Sequence, residues 1–163
     1  MRVVAFYLLL LSGQGLLSAL FGTLPAPDLF LIMALTLLGR IAPWQLVVAA
    51  YGIGLVQDVI GFGALGLHAI ALAGAALVAS AVRAQLTGTG VLERLLMVLS
   101  AQAGKWVVAA LLLTWLSGTM QDPAQLLAVA VTETVLTTAF ALVLLPWADA
   151  IMNKSKMLQK ELL

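Results

Sequence analysis

The stretch from Gly52 to Ala69, G-I-G-L-V-Q-D-V-I-G-F-G-A-L-G-L-H-A, interrupts long runs of leucine, alanine and valine. It contains five glycines, a Gln-Asp pair and the single histidine of the chain. The burial of apolar surface requires none of these residues. Because apolar segments lie on both sides, we expect a glycine-rich turn here that joins two membrane helices.

The surrounding chain is too apolar for a soluble protein. Of its 163 residues, 63% are hydrophobic and 9% are charged, whereas soluble domains average about 45–50% apolar and about 25% charged residues. Apolar segments of about 20 residues, enough to cross a bilayer as a helix, recur along the whole length. We therefore predict one all-α integral membrane domain over residues 1–163. The chain has no cysteine, which excludes disulfides, thiolate metal sites and cysteine nucleophiles.

Outward from this stretch, apolar segments and turn residues predict six transmembrane helices. The expected spans are residues 3–20, 28–41, 44–59, 64–82, 95–116 and 126–145, followed by a cytoplasmic tail over 146–163. Prolines at 25 and 27 forbid helix before the second span, which Asp28 then caps at its positive end. This span is short, so either Arg40 reaches the interface or the helix lies partly inside the protein.

The charged residues predict the orientation of the spans. All the basic loop and tail residues fall on one side, with none in the opposite loops: Arg2, Arg40, Arg83, Arg94, Lys154, Lys156 and Lys160. The opposite side carries Asp28, Asp58 and Asp122. By the positive-inside rule, both termini are expected in the cytoplasm, and the number of crossings is even.

Small residues mark one face of the first span. Gly15 and Ala19 lie four residues apart, with Ser12 and Gly22 continuing the row. Such a face lets another helix approach closely. We expect Gly15 and Ala19 to contact a neighbouring helix or a membrane partner, and Gln14 to hydrogen-bond a neighbouring helix.

Lys105 and Glu133 are the only charged residues placed well inside the predicted spans. Counted inward from the helix ends, their depths in the membrane overlap. An isolated charge at this depth costs roughly 3 kcal/mol or more. We therefore expect an interhelical ion pair. A proton or substrate path, or separate hydrogen bonds to nearby amides and hydroxyls, remain as alternatives.

Asp58 lies at the carboxyl end of a predicted helix, where its charge meets the negative end of the helix dipole. We expect a compensating partner: N–H groups of the Gly61–Gly66 turn, the start of the next helix, or His68. The aspartate either caps that helix or contributes to partner binding. A lone histidine without cysteine favours a packing role for His68 over metal binding. Neither a metal site nor a cofactor is predicted.

An enzymatic function is not predicted. No serine lies near a histidine or aspartate in the sequence, so a nucleophile with its base is missing. The glycine-rich segment 87–90 lacks the Gly-Lys-Ser/Thr ending of a phosphate-binding loop. Expected partners are therefore other membrane proteins and the lipid bilayer, with no nucleic acid, and a homo-oligomer is left open.

Residues 27–69 resemble the bacterial rod shape-determining MreD family. The resemblance is carried by Pro27-Asp28-Leu29, by Arg40 with Pro43, by Gly52-x-Gly-x-x-Gln57-Asp58, and by Gly66-Leu67-His68-Ala69. It covers about a quarter of the chain, and the remainder matches only in length, six spans and a short basic tail.

The resemblance implies a six-helix fold similar to the S component of energy-coupling-factor transporters. It also implies a non-enzymatic adaptor in the bacterial inner membrane that binds MreC and works with MreB and peptidoglycan synthases to control cell shape. The expected partner-binding residues are Asp28, Gln57, Asp58, Gly61, Phe62, Gly63, Gly66, His68, Gly15 and Ala19. The alternative is a small-molecule transporter subunit of the S-component type, with polar residues lining an outward cavity.

Overall fold

A computed structural model of the chain describes residues 2–22, 24–61, 64–86, 90–117 and 122–161. These residues form six α-helices: α1 (Arg2–Phe21), α2 (Leu29–Thr36), α3 (Pro43–Gly61), α4 (Leu67–Arg83), α5 (Val91–Ser117) and α6 (Pro123–Glu161). The predicted all-α class is confirmed. Helices α1, α3, α5 and α6 are long and apolar enough to cross a membrane, and α4 is a shorter apolar helix. The fold is therefore that of a helical membrane protein.

Local sequence signals account for several helix starts. Asp28 is the N-cap of α2, and its Oδ1 accepts a hydrogen bond from the Leu31 N–H at 3.0 Å. Pro43 is the first residue of α3, a position that needs no N–H donor. At the start of α6, Asp122 Oδ1 accepts from the Ala124 N–H at 3.0 Å. The two aspartates thus accept from N–H groups that have no intrahelical partner, and the proline removes one such N–H group.

Helix α2 is much shorter than the predicted span over 28–41. It has eight residues, all buried except Met33, and a length of about 12 Å at 1.5 Å per residue. The chain then forms turns that include Gly39, whose φ of 74° lies in the left-handed region. Of the two expectations for this segment, the structure shows a helix inside the protein, packed against α1, α3, α4 and α6.

Helix α4 packs extensively against both α3 and α5. Glycines allow these close approaches. A Cβ at Gly54 would lie 2.6 Å from the His68 carbonyl oxygen, and one at Gly74 would lie 2.6 Å from Val108 Cγ2. Buried alanines of α4, including Ala69 and Ala75, complete the contacts. The small side chains of α4 therefore bring three helices together.

The last two helices extend beyond their predicted bounds. Helix α5 begins at Val91, one turn before residue 95. Helix α6 continues through Pro146 to Glu161, so the predicted tail over 146–163 begins as helix. Beyond the proline, Asp149 accepts from Arg40 Nη2 at 2.5 Å and from Arg94 Nη2 at 3.1 Å. These ion pairs hold this part of α6 against the protein despite the hydrogen bond that proline removes.

Candidate functional site

Asp58 connects the end of α3 to the start of α4. Its side chain is fully buried, and Oδ2 accepts from the Gly66 N–H at 2.8 Å and from the Ala69 N–H at 3.3 Å. Its Oδ1 accepts from the His68 N–H at 3.0 Å and lies 2.7 Å from His68 Nδ1. Gly66 has a φ of 95°, a backbone conformation that is strained for any residue with a side chain. The compensating partners expected for Asp58 are thus the first N–H groups of α4 together with the imidazole.

Lys105 lies at the centre of a second group of charges. Only 5% of the residue is exposed, and its Nζ lies 2.5 Å from Glu133 Oε1 and 2.5 Å from Asp28 Oδ2. The structure therefore contains the expected pair of Lys105 and Glu133 and adds Asp28. The Asp28 backbone N–H also donates to Thr137 Oγ1 at 2.8 Å. Together these contacts connect α2, α5 and α6.

Sequence reasoning missed the contact between Asp28 and Lys105. A cap uses one carboxylate oxygen of Asp28 and leaves the other free to accept a second bond. The start of α2 was expected near the membrane surface, far from the deeply placed lysine. Because α2 is short and buried, its first residue lies within reach of Lys105. The sequence did contain a signal for this contact, because a lysine buried in a membrane protein is stabilised further when a second carboxylate on a neighbouring helix pairs with it.

A small cavity lies between these two groups of charges. Its volume is about 110 Å³, and its polar lining consists of His68, Lys105, Trp106 and Glu133. The Trp106 Nε1 atom is buried without a hydrogen-bond partner among the described residues. At about 30 Å³ for each water in the liquid, the cavity has room for roughly three or four water molecules. Water here would connect His68 to the lysine and its acids.

We call Asp28, Asp58, His68, Lys105 and Glu133 the polar cluster. Three carboxylates and one ammonium give it a formal charge of −2 when the histidine is neutral. Such a cluster attracts a proton or a small cation more than an anion. Within the described ranges, no group of three or more His, Cys, Asp or Glu residues is arranged to hold a metal ion.

The structure corrects the expected outer surface formed by Asp28 and Asp58. Asp28 is 3% exposed and Asp58 is 1% exposed, because each is used in hydrogen bonds inside the protein. His68 is partly exposed and Gly61 is exposed, while Gln57 is half-buried with a buried Oε1 that lacks a described partner. The expected contributions of Phe62 and Gly63 fall outside the described residues.

The predicted small-residue face of α1 is open. Gly15 and Ala19 are exposed, and a Cβ added at Gly15 would meet no atom within 4 Å. Gln14 accepts a hydrogen bond from the Leu29 N–H at 2.8 Å, so it does bond a neighbouring helix as expected. Gln14 therefore helps attach α1 to α2, while Gly15 and Ala19 lie on the exposed side of α1.

Comparison of the chain with family models, curated proteins and solved structures finds no significant match. Three of the four quoted motifs nevertheless converge in space, whereas Arg40 lies apart from them and pairs with Asp149. Asp58 of the Gln57-Asp58 pair binds the backbone of Gly66, His68 and Ala69. His68 lines the same cavity as Lys105, which in turn pairs with Asp28. Residues that are separated in the sequence thus form one physical unit.

Proposed function

We propose that the chain is a non-enzymatic adaptor of the bacterial inner membrane that binds MreC and helps control peptidoglycan synthesis during cell elongation. The observation that carries the proposal is the convergence in the polar cluster of three of the four quoted motifs, those that contain Asp28, Asp58 and His68. When residues of motifs that resemble those of an adaptor family contact one another, the resemblance acquires a structural explanation. Here Asp28, Asp58 and His68 hold the starts of α2 and α4 in place.

The open face of α1 supports helix packing as the mode of binding. Gly15 and Ala19 provide a small-residue surface against which a transmembrane helix can pack closely. The bitopic partner that the resemblance implies has such a helix. In this proposal the chain crosses the membrane six times with both termini in the cytoplasm, and the polar cluster positions the helices without contacting the partner directly.

A carrier of the S-component type is the second candidate. The cavity that has His68 and Lys105 on its wall favours the carrier, since a substrate site needs a few such polar groups to orient its ligand. The volume of about 110 Å³ argues against it, because small-molecule sites usually measure about 300–1,000 Å³. A small organic molecule that copurifies with the wild-type protein, and is lost in Lys105→Met, would favour the carrier over the adaptor.

Photo-crosslinking in cells tests the adaptor proposal. A photoreactive residue is placed at position 15 or 19 in cells that produce the chain with a candidate MreC. Leu111 and Val143, exposed apolar residues of α5 and α6, provide matched lipid-facing controls. We expect MreC adducts from positions 15 and 19 only. Adducts of equal yield from all four positions, or adducts only between two copies of the chain, would contradict docking of MreC on α1.

A further inference from the structure

A groove lies at the end of the protein that carries Arg40, Arg83 and Arg94, which we call the arginine end. It has a volume of about 300 Å³ and lies between the turn after α2 and the last turn of α4. Leu38, Ile41 and Leu46 form an apolar wall, and Arg83 provides a cationic one. An apolar groove with a single cation suits a ligand with an apolar chain and an anionic head.

The Arg83 guanidinium is held over Gly39. A Cβ added at Gly39 would lie 2.5 Å from Arg83 Nε and 2.8 Å from Nη2. Arginine side chains near a membrane surface usually extend toward water. Here the absence of a side chain at Gly39 lets the guanidinium lie back on the polypeptide at the groove. Glycine is also favoured at this position by its φ of 74°.

Arg83 differs from its two neighbours in having no acidic partner among the described residues. Arg40 and Arg94 share the Asp149 carboxylate. The hydrogen bond found for the Arg83 guanidinium goes to Met97 Sδ at 3.8 Å, and thioether sulfur is a weak acceptor. Most of the five N–H donors of Arg83 therefore have no acceptor among the described residues and are available to a bound anion.

We propose that this groove binds one anionic phospholipid of the cytoplasmic leaflet. The planar guanidinium of Arg83 matches the geometry of a phosphodiester and can donate two parallel hydrogen bonds to it. An acyl chain would lie along Leu38, Ile41 and Pro43, which line the groove. The cytoplasmic leaflet is rich in anionic lipids, and the positive-inside rule places the arginine end on that side. Trp44, 67% exposed at the start of α3, suits the membrane interface there.

Native mass spectrometry of the intact purified protein tests this proposal. The protein is delipidated and then offered phosphatidylglycerol or phosphatidylcholine at equal concentration. We expect the wild type to retain phosphatidylglycerol preferentially, and Arg83→Gln to retain it roughly tenfold less, the effect of losing a charge-assisted hydrogen bond. Arg94→Gln removes the same charge at the same end but outside the groove, so its retention should equal that of the wild type.

Two further arms separate the lipid from other ligands. Ala84→Trp keeps every charge but fills the groove, and it should reduce retention as Arg83→Gln does. Millimolar inorganic phosphate should not displace the lipid. Equal losses in Arg83→Gln and Arg94→Gln, or displacement by phosphate alone, would overturn the proposal. If circular dichroism shows that Ala84→Trp does not fold, the comparison of the two arginine variants decides.

Discussion

At the scale of single residues, Lys105 determines whether two buried carboxylates are compensated. Its ammonium lies 2.5 Å from both Asp28 and Glu133. Lys105→Met leaves both acids without a cation, and breaking a buried pair in this way costs roughly 3–5 kcal/mol. Glu133→Gln leaves one acid with one base, so its loss should be smaller. Unfolding of each variant in detergent measures the two free energies.

Two controls accompany these variants. The double variant Lys105→Met/Glu133→Gln should lose less stability than the sum of the single losses, because the pair is removed as a unit. Gln102→Leu, one turn away on α5, replaces a buried amide that has no described partner and should be neutral or stabilising. Strictly additive losses would show that Lys105 and Glu133 do not interact.

A substitution of Asp58 tests the connection between α3 and α4. The buried carboxylate receives three backbone N–H bonds and one contact from His68. Asp58→Asn introduces an amide NH₂ facing these donors, so we expect a loss of roughly 3 kcal/mol in the free energy of unfolding. Asp122→Asn is the matched control, since asparagine caps helices as well as aspartate does. Equal stability of the two variants would contradict a structural role for Asp58.

At the scale of the helices, the sequence predicts a contact correctly when the contact joins residues that lie near one another in the chain. A carboxylate at the end of α3 needs donors, and the Gly66 and His68 N–H groups that serve it lie only eight and ten residues further along the chain. The sequence does not predict a contact that depends on the position of a whole helix. Asp28 meets Lys105 across 77 residues because α2 is short and buried. Arg40 meets Asp149 across 109 residues because α6 continues past Pro146.

The contact between α3 and α4 depends on Gly54. A Cβ there would lie 2.6 Å from the His68 carbonyl oxygen and 2.7 Å from the Ala69 nitrogen. Gly54→Ala should therefore separate the helices and weaken the bonds to Asp58, lowering the free energy of unfolding by roughly 1–3 kcal/mol. Gly52→Ala, on the same helix, meets no atom within 4 Å and should stabilise the helix by up to about 1 kcal/mol. Equal effects of the two substitutions on detergent unfolding would contradict the tight contact.

At the scale of the whole molecule, the number of crossings depends on the segment around α2. Four helices are long enough to cross alone, and α4, with 17 residues, is about 26 Å long at 1.5 Å per residue. Helix α2 covers only about 12 Å, so the turns on either side of it must complete a crossing. Tyr7 near the start of α1 bonds Thr36 at the end of α2, and Gln14 further along α1 bonds Leu29 at the start of α2, so the two helices run antiparallel. Arg40, after α2, lies at the arginine end, where it pairs with Asp149. This arrangement favours a full crossing over a re-entrant loop.

Single-cysteine labelling tests the crossing directly, since the chain has no cysteine of its own. Cysteines replace the exposed residues Leu24, Gln45, Leu65 and Gln85, and intact cells are treated with a membrane-impermeant maleimide. Positions 24 and 65 should react from outside, because the positive-inside rule predicts that the arginine end faces the cytoplasm. Positions 45 and 85 should react only after permeabilisation, which also checks that all four are accessible. Reaction of position 45 from outside would mean that the segment between 24 and 45 enters and leaves on one side, and six crossings would be wrong.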